Sequence, residues 1–600
     1  MIAIIKKRYN VIAKGDSPKQ SRIIINNLDS FATLAMMDNE NSSSQIQTPR
    51  YHLVFDGKLF NKKELWEKIP VFSRPADTNN DAAIVLALFV NSGTNCFADL
   101  EGYWSLILVD NEKKQLLAAR DHFGNRPLFY CYTVNSMAVS SQSRLLHEVD
   151  ENAKEINKNA VVEYLLWGDI MKHNQQFFTH IHALPPSHYL LYSFDNHDFK
   201  INSYYELPYK RCKASYNVYE EPFYIDNVRQ WVLNSVRYNV GNQSRLALGV
   251  SGGLDSSSLL CSAVKVHPDC RYTAFTFVNE HDRREDFWAE KITKHAGVDW
   301  VKVPCHAREM VELVPHLNKI QDVPIFNTST IAQYKVMQAV KEHGFDAILD
   351  GQGGDELFGG YTAFLPPFWN TLLSQWMVKD WLSEFFNLKN ADIRYKEAVL
   401  LVLKNFAKKH YYTKEKLAKR NKPHELSFLN KELTTNYFRT SYPTEKHKDV
   451  LNDYLYDSYT HFLPNISRWG IATAEHFGID CLMPFSNSKQ LAESIFSLPS
   501  TFKIHKSWTK YLLRSAMVGI VPDEIRWRRQ KLGFQAPEDT WLQEMGNALK
   551  QQISEMDDIE NIVDKKQLIA QWNNLYKPQN FYFQQFVFRY YSYLAWGNNL

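Results

Sequence analysis

At 600 residues the chain is long enough for two or more domains with large apolar cores. Its 69 basic and 66 acidic residues nearly cancel to a formal charge of +3, so nothing in the balance calls for nucleic acid or an anionic membrane as a partner. Seven cysteines with no C-x-x-C pair indicate neither a disulfide framework nor a structural zinc site, and no apolar stretch reaches about 18 residues, so no membrane span is expected.

The first eight residues place Lys6, Lys7 and Arg8 behind a short apolar run, which reads as a first β-strand rather than a secretion signal; a cytoplasmic location is expected. Residues 1–205 are strand-rich. Residues 51–55 lead into Asp56-Gly57, read as a hairpin-type turn, and 58–60 continue beyond it. Residues 105–110 and 116–119 flank a polar turn and predict a second hairpin, and 81–89 predict a short helix. An antiparallel α+β layered domain fits this pattern. Aromatic residues reach 14%; most are expected in cores, although a peptide-binding surface would also use them.

From about 215 the rhythm changes to strand then helix: 246–250 before 257–266, 273–278 before 286–295, 300–304 before 307–317, and 335–342 before 347–349. Alternation of this kind predicts a parallel sheet with helices on both faces, whose ligands bind beyond the carboxyl ends of the strands. Residues 364–445 are helix-like, polar and aromatic, and are read as a lid or specificity insertion within a second domain spanning 206–600.

Two glycine-rich loops carry the chemistry. In Ser251-Gly252-Gly253-Leu254-Asp255-Ser256 small residues follow an apolar strand and precede a helix, so backbone N–H groups can converge on an anion at the helix N-terminus. Asp255 is unsuited to touching phosphate and suited to Mg²⁺ bridging phosphate oxygens. The loop lacks the G-K-[ST] ending of a Walker A motif; an ordinary strand-turn-helix connection is the alternative. In Gly351-Gln352-Gly353-Gly354-Asp355-Glu356 a second carboxylate could complete the Mg²⁺ shell.

Near the C-terminus, Arg526-Trp527-Arg528-Arg529-Gln530-Lys531 forms a cationic cluster. It could be a solvated face or a nucleic-acid patch, but adenylation and amide formation both build negative charge that one buried lysine would stabilise, and Lys531 is the candidate. The twenty histidines do not fall at metal-ligand spacings; His306 and His476 are read as structural.

Taken in order, these motifs resemble the asparagine synthetase family along most of the chain. Residues 251–257 and 350–361, Met483-Pro484-Phe485, Leu498-Pro499, 506–514 and 528–534 match its synthetase half; 55–61, 100–105 and 120–128 match its amidotransferase half. The resemblance implies an N-terminal-nucleophile-like glutaminase fold over 1–205, joined to an α/β, adenine nucleotide alpha-hydrolase-like ATP pyrophosphatase domain. It implies ATP and Mg²⁺ as cofactors, adenylate contacts from Gly249, Phe277, Asp350 and Gly351, pyrophosphate held by Ser251, Gly252, Gly253, Asp255 and Ser256, and Mg²⁺ on Asp255 and Asp355.

The departures are informative. Ile2 stands where the glutaminase carries its nucleophilic Cys, and the first Cys is Cys96; without a thiolate, covalent glutamine hydrolysis fails. Gln352 replaces the Glu of asparagine synthetases and the Tyr of β-lactam synthetases, and Asn487 stands at a carboxylate position; both are taken to frame the acceptor pocket. The members lacking the Cys include lasso peptide cyclases, which adenylate an Asp or Glu side chain of a precursor peptide and let its N-terminal amine close a macrolactam. That activity is the expectation, with a leader-binding protein and a leader peptidase as partners. An asparagine synthetase using free ammonia, a β-lactam synthetase and an inactive scaffold are the alternatives.

Overall fold

The computed structural model describes residues 2–6, 22–23, 32–35, 43–133, 136–148, 151–168, 176–209, 216–278, 284–393, 427–434, 449–530, 536–558 and 560–598. Lys531 therefore lies outside the described residues, as do 394–426 and 435–445 of the expected insertion. The chain divides into two compact units. The first holds 1–160, 170–206 and 464–480, and the second holds 161–169, 207–463 and 481–600. The segment 464–480, which sequence pattern assigns to the second domain, is thus part of the first unit.

The first unit is built on two six-stranded sheets whose described pairings are antiparallel. One runs Ser43–Gln47, Tyr51–Leu59, Gly102–Asp110, Gln115–Arg120, His188–Ser193, Phe199–Ser203; the other runs Arg22–Ile23, Ala32–Ala35, Ile2–Lys6, Ser136–Ser140, Phe129–Thr133, His182–Ala183. Alternation along a strand sends successive side chains to opposite faces. Val54, Ile107 and Val109 accordingly pack on Met137 and Val139 of the facing sheet, whereas Leu53, Phe55, Leu106 and Leu108 pack on Leu65, Ile84, Val85 and Leu88 of two helices, Lys62–Lys68 and Asp81–Ser92. The stretch Asp81–Asp99 is long and apolar enough to cross a membrane by length and composition, yet Ile84 and Val85 are fully buried in this core.

The hairpin over 105–119 forms as expected, from Gly102–Asp110 and Gln115–Arg120. The turn expected at Asp56-Gly57 does not. Both residues lie inside the continuous strand Tyr51–Leu59, opposite Ser105 and Trp104. Gly57 has φ +136°, and a Cβ there would sit 2.1 Å from the Tyr103 carbonyl oxygen, so the glycine serves a close backbone approach rather than a chain reversal.

The second unit holds a five-stranded sheet in the order Asp299–Pro304, Arg271–Val278, Arg245–Gly249, Ala347–Leu349, Asp480–Leu482. The first four are parallel neighbours. From Arg245–Gly249 the chain winds outward to one side through two strands, then returns to lay Ala347–Leu349 on the other side. The gap between Arg245–Gly249 and Ala347–Leu349 is therefore the topological switch point, where the connections leave the sheet in opposite directions and open a crevice. Both glycine loops follow these two strands, which is why a hundred residues of separation ends in contact.

The insertion begins with two helices, Leu365–Ser374 and Val378–Phe386. Phe364, Phe368 and Trp369 are buried, as helix-packing core would be.

Candidate active site

The first loop ends in a helix, Leu254–Val266, that starts three residues earlier than the pattern predicts. Gly253 is its N-cap, so Asp255 and Ser256 stand in its first turn, at the positive end of the helix dipole. The loop is tied to itself: the Ser251 and Gly253 N–H groups donate to the Ser256 and Ser251 hydroxyls, each at 3.3 Å.

The second loop packs directly on the first. A Cβ on Gly354 would lie 2.6 Å from Asp255 Cγ, and one on Gly360 would lie 1.8 Å from Asp355 Oδ1 and 2.0 Å from Lys510 Cε. These glycines are absences of side chain that let two carboxylates and a lysine share one small volume.

Lys510 is the residue the sequence reading leaves without a role. Its ammonium bridges Asp255 and Asp355, the latter at 2.7 Å, while only 5% of the residue is exposed. Burial pulls its pKa down, but the charges of Asp255 and Asp355 outweigh burial and the net shift is upward, so it is an ammonium at any working pH. The only signal for it in the sequence is its place in the 506–514 segment; its partners are 255 and 155 positions away.

Around this triad lies a cleft of about 580 Å³. Gly249, Ser251, Gly253, Asp255, Ser256, Asp350, Gly351 and Asp355 line it, with Lys510, Arg514, Arg528, Arg529 and Gln530. Of the remaining expected contacts, Gly252 is not part of this lining, and its carbonyl accepts a 3.0 Å hydrogen bond from Arg528. Phe277 is not part of it either: it packs edge-on against Trp541, and Phe275, two residues earlier on the same strand, reaches the cleft. Arg528 also lies over the Trp288 ring at 5.0 Å. Arg514 is held below its ordinary pKa, at about 10, chiefly by burial. Arg526 donates to the Arg514 carbonyl at 2.6 Å, and Arg514 donates back to the Arg526 carbonyl. These bonds stitch 526–528 to 509–514 and bring the three residues preceding Lys531 to the cleft.

Two carboxyl groups at the second loop have distinct surroundings. Asp350 is pushed up by burial while the N–H of Gln352 donates to it at 3.0 Å. Glu356, 1% exposed, accepts from the Tyr361 hydroxyl at 2.8 Å and is pushed up to about 7 by burial first and the Asp355 charge second. Asn487, expected to frame the acceptor pocket, is not part of this lining: it is buried and exchanges two amide hydrogen bonds with Asn239, at 3.1 and 3.3 Å. Gln352 does line the cleft.

Among the described residues no group of three or more His, Cys, Asp or Glu could hold a metal, and His306 and His476 are exposed. Asp255 and Asp355 nonetheless fit Mg²⁺: hard carboxylate oxygens, only two of them, beside a space for phosphate, and already gathered around one cation, the Lys510 ammonium.

Comparison with known proteins agrees with this geometry. The family profile described as asparagine synthase matches residues 227–596. The chain belongs to the asparagine synthase family. A glutamine amidotransferase domain profile matches 27–205. The asparagine synthase family chain is 23% identical over 526 residues to the glutamine-hydrolyzing asparagine synthetase 1 of Bacillus subtilis (strain 168), covering 85% of this chain and 80% of that one. It is 21% identical to asparagine synthetase 3 of the same organism, covering 86% and 81%. It is 26% identical to the amidase chry2 of Gibberella zeae, covering 52% of this chain and 48% of that protein. This is an ATP-dependent, amide-forming ligase of the asparagine synthetase type, with an amidotransferase-like N-terminal domain.

Proposed function

We propose that this ligase activates the side-chain carboxylate of an Asp or Glu within a precursor peptide and joins it to the peptide's own N-terminal amine, closing a macrolactam of the lasso peptide type. The observation that carries the reading is the state of the thiols. Ile2 occupies the position given to the glutaminase nucleophile, and Cys96, the first cysteine, is buried with its pKa raised to about 12 by burial. Cys131, the other described thiol of the first unit, is buried as well. With no reactive thiol among the described residues of the first unit to release ammonia, the amine comes from elsewhere, and an amine on the substrate needs only to be held in place.

The chemistry divides between the two ends of the cleft. The substrate carboxylate oxygen attacks the α-phosphorus of ATP, pyrophosphate leaves, and the amine then attacks the acyl carbon and expels AMP with loss of a proton. Mg²⁺ bound by Asp255 and Asp355 would neutralise phosphate charge. Lys510, Arg514 and the N–H groups at the start of helix Leu254–Val266 face the polyphosphate, where fixed positive charge stabilises the departing pyrophosphate. Asp350 and Gly351 edge the nucleotide side, Gln352 the acyl side, and Lys531 is proposed to stabilise charge at the reacting acyl group. Holding amine and acyl group together can supply roughly 7–11 kcal/mol of the barrier. A leader-binding protein and a leader peptidase would deliver the peptide.

The test is product analysis. Peptides with a free N-terminal Gly and an internal Asp or Glu, incubated with ATP and Mg²⁺, should lose one water and resist N-terminal acylation. The second reading, an ammonia-using asparagine synthetase, is favoured by the names of the relatives above; formation of asparagine from aspartate and ammonium would establish it in place of the first.

A further inference from the structure

Lys510 reaches its two carboxylates from an unfavourable backbone. It has φ +54°, and it follows a tight reversal at His505 to Trp508 in which each of these residues donates its N–H to the other's carbonyl, at 3.2 and 3.0 Å. The two central residues, Lys506 and Ser507, have φ +50° and +57°. That is the geometry of a type I′ turn, which favours Asn-Gly because left-handed backbone is costly for residues with a Cβ. Such conformations are costly and persist where surrounding structure over-determines them.

Here the surrounding structure is the insertion. Glu384, on helix Val378–Phe386 and 3% exposed, accepts the N–H of Lys506 at 2.6 Å, the N–H of Ser507, and the Ser507 hydroxyl at 3.2 Å. Its own backbone carbonyl accepts from the Ser507 hydroxyl at 2.8 Å. Asn390, six residues on, donates to the Lys506 carbonyl at 3.0 Å. Ala391, Asp392 and Ile393 then line the cleft itself. One carboxylate thus satisfies both central N–H groups of the turn that leads through Trp508 and Thr509 into Lys510.

We infer that Glu384 is a positioning residue for the nucleotide site: it holds the 505–508 turn in its left-handed form and thereby aims Lys510 between Asp255 and Asp355. The inference rests on the adenylating chemistry of the cleft and is independent of which carboxylate or amine the enzyme takes. It gives the insertion a role in setting up phosphate binding, separate from any role in substrate choice.

The experiment is calorimetric titration of the full chain with Mg²⁺ and α,β-methylene-ATP, which needs no acceptor, so a failure here is distinguishable from a failure of the peptide reading. Glu384→Gln keeps the shape but turns an amide toward one of the two N–H donors. Loss of one of the two backbone hydrogen bonds to the turn predicts binding weakened about tenfold. Adding Lys506→Asn and Ser507→Gly, the pair a type I′ turn prefers, should restore binding to within about twofold of the parent. A merely structural defect at Glu384 would not be rescued by relaxing a turn. Unchanged binding in E384Q, or a defect that the turn pair leaves in place, overturns the inference. If E384Q alone does not fold, the triple variant decides: a folded, binding-competent triple supports the assignment, and one that stays unfolded or weak contradicts it.

Discussion

The Lys510 ammonium stands 2.7 Å from Asp355 Oδ1 and also pairs with Asp255, so one buried cation joins the two glycine loops of the cleft. Without it two partly buried carboxylates would face one another across a small volume with no cation between them.

Replacement of Lys510 by Ala should therefore act on chemistry and on charge together. Loss of a preorganised cation facing the leaving group predicts a fall of roughly 10²–10³ in turnover. Mg²⁺ binding, read by its effect on thermal unfolding, should persist or strengthen, because the metal no longer competes with the ammonium for Asp255 and Asp355. Turnover within a few-fold of the parent would remove Lys510 from the mechanism.

Gly354→Ala puts a methyl group 2.6 Å from Asp255 Cγ. Overpacking of this kind costs about 1–3 kcal/mol, and misplacing a catalytic group by about 1 Å can cost 10²-fold in rate. Activity should drop by at least ten times more than the same change at Gly597, where nothing lies within 4 Å. Equal effects at the two glycines would show that the loops are not packed as described.

Stability should carry a signature of Glu384, which burial raises from an ordinary 4.5 to about 7 despite the opposing hydrogen bonds from the Ser507 and Lys506 backbone. A carboxyl raised in the fold contributes stability that is complete below about pH 4.5 and is lost as pH rises through about 7. The parent should thus lose its advantage over E384Q between pH 5 and 8, by up to about 3 kcal/mol, in urea denaturation at several pH values. A gap that stays constant over that range would contradict this environment for Glu384.

Thiol chemistry gives an independent reading of the first unit. Cys96 is 1% exposed and its thiol is raised to about 12, so it should react with an alkylating reagent only on unfolding. Glutamine should not serve as amine donor, and Cys96→Ser should leave turnover unchanged. Glutamine-dependent turnover abolished by C96S would reverse the assignment.

The two motifs were legible because each needs only local residues: an apolar strand, small residues, an acid, a helix. The parallel sheet was legible from alternation, and the antiparallel layers from period-two patterning. What escaped depends on chain reversals that no local pattern records. Lys510 meets Asp255 across 255 positions, Asn487 is consumed by Asn239 across 248, and Asp56-Gly57, a turn by composition, is held in a strand because Tyr103 lies against its backbone. A nucleotide role for Phe277 follows only from the family resemblance, and in the fold its ring meets Trp541 edge to face.

ATP–pyrophosphate exchange tests the central claim most directly. Purified protein with Mg²⁺ would be offered free aspartate, N-carboxyalkyl amino acids, and short peptides bearing a free N-terminal Gly and an internal Asp or Glu. The account predicts exchange stimulated by the peptides alone and abolished by Asp255→Ala. Exchange stimulated by free aspartate and not by peptides would contradict it and leave an ammonia-using asparagine synthetase.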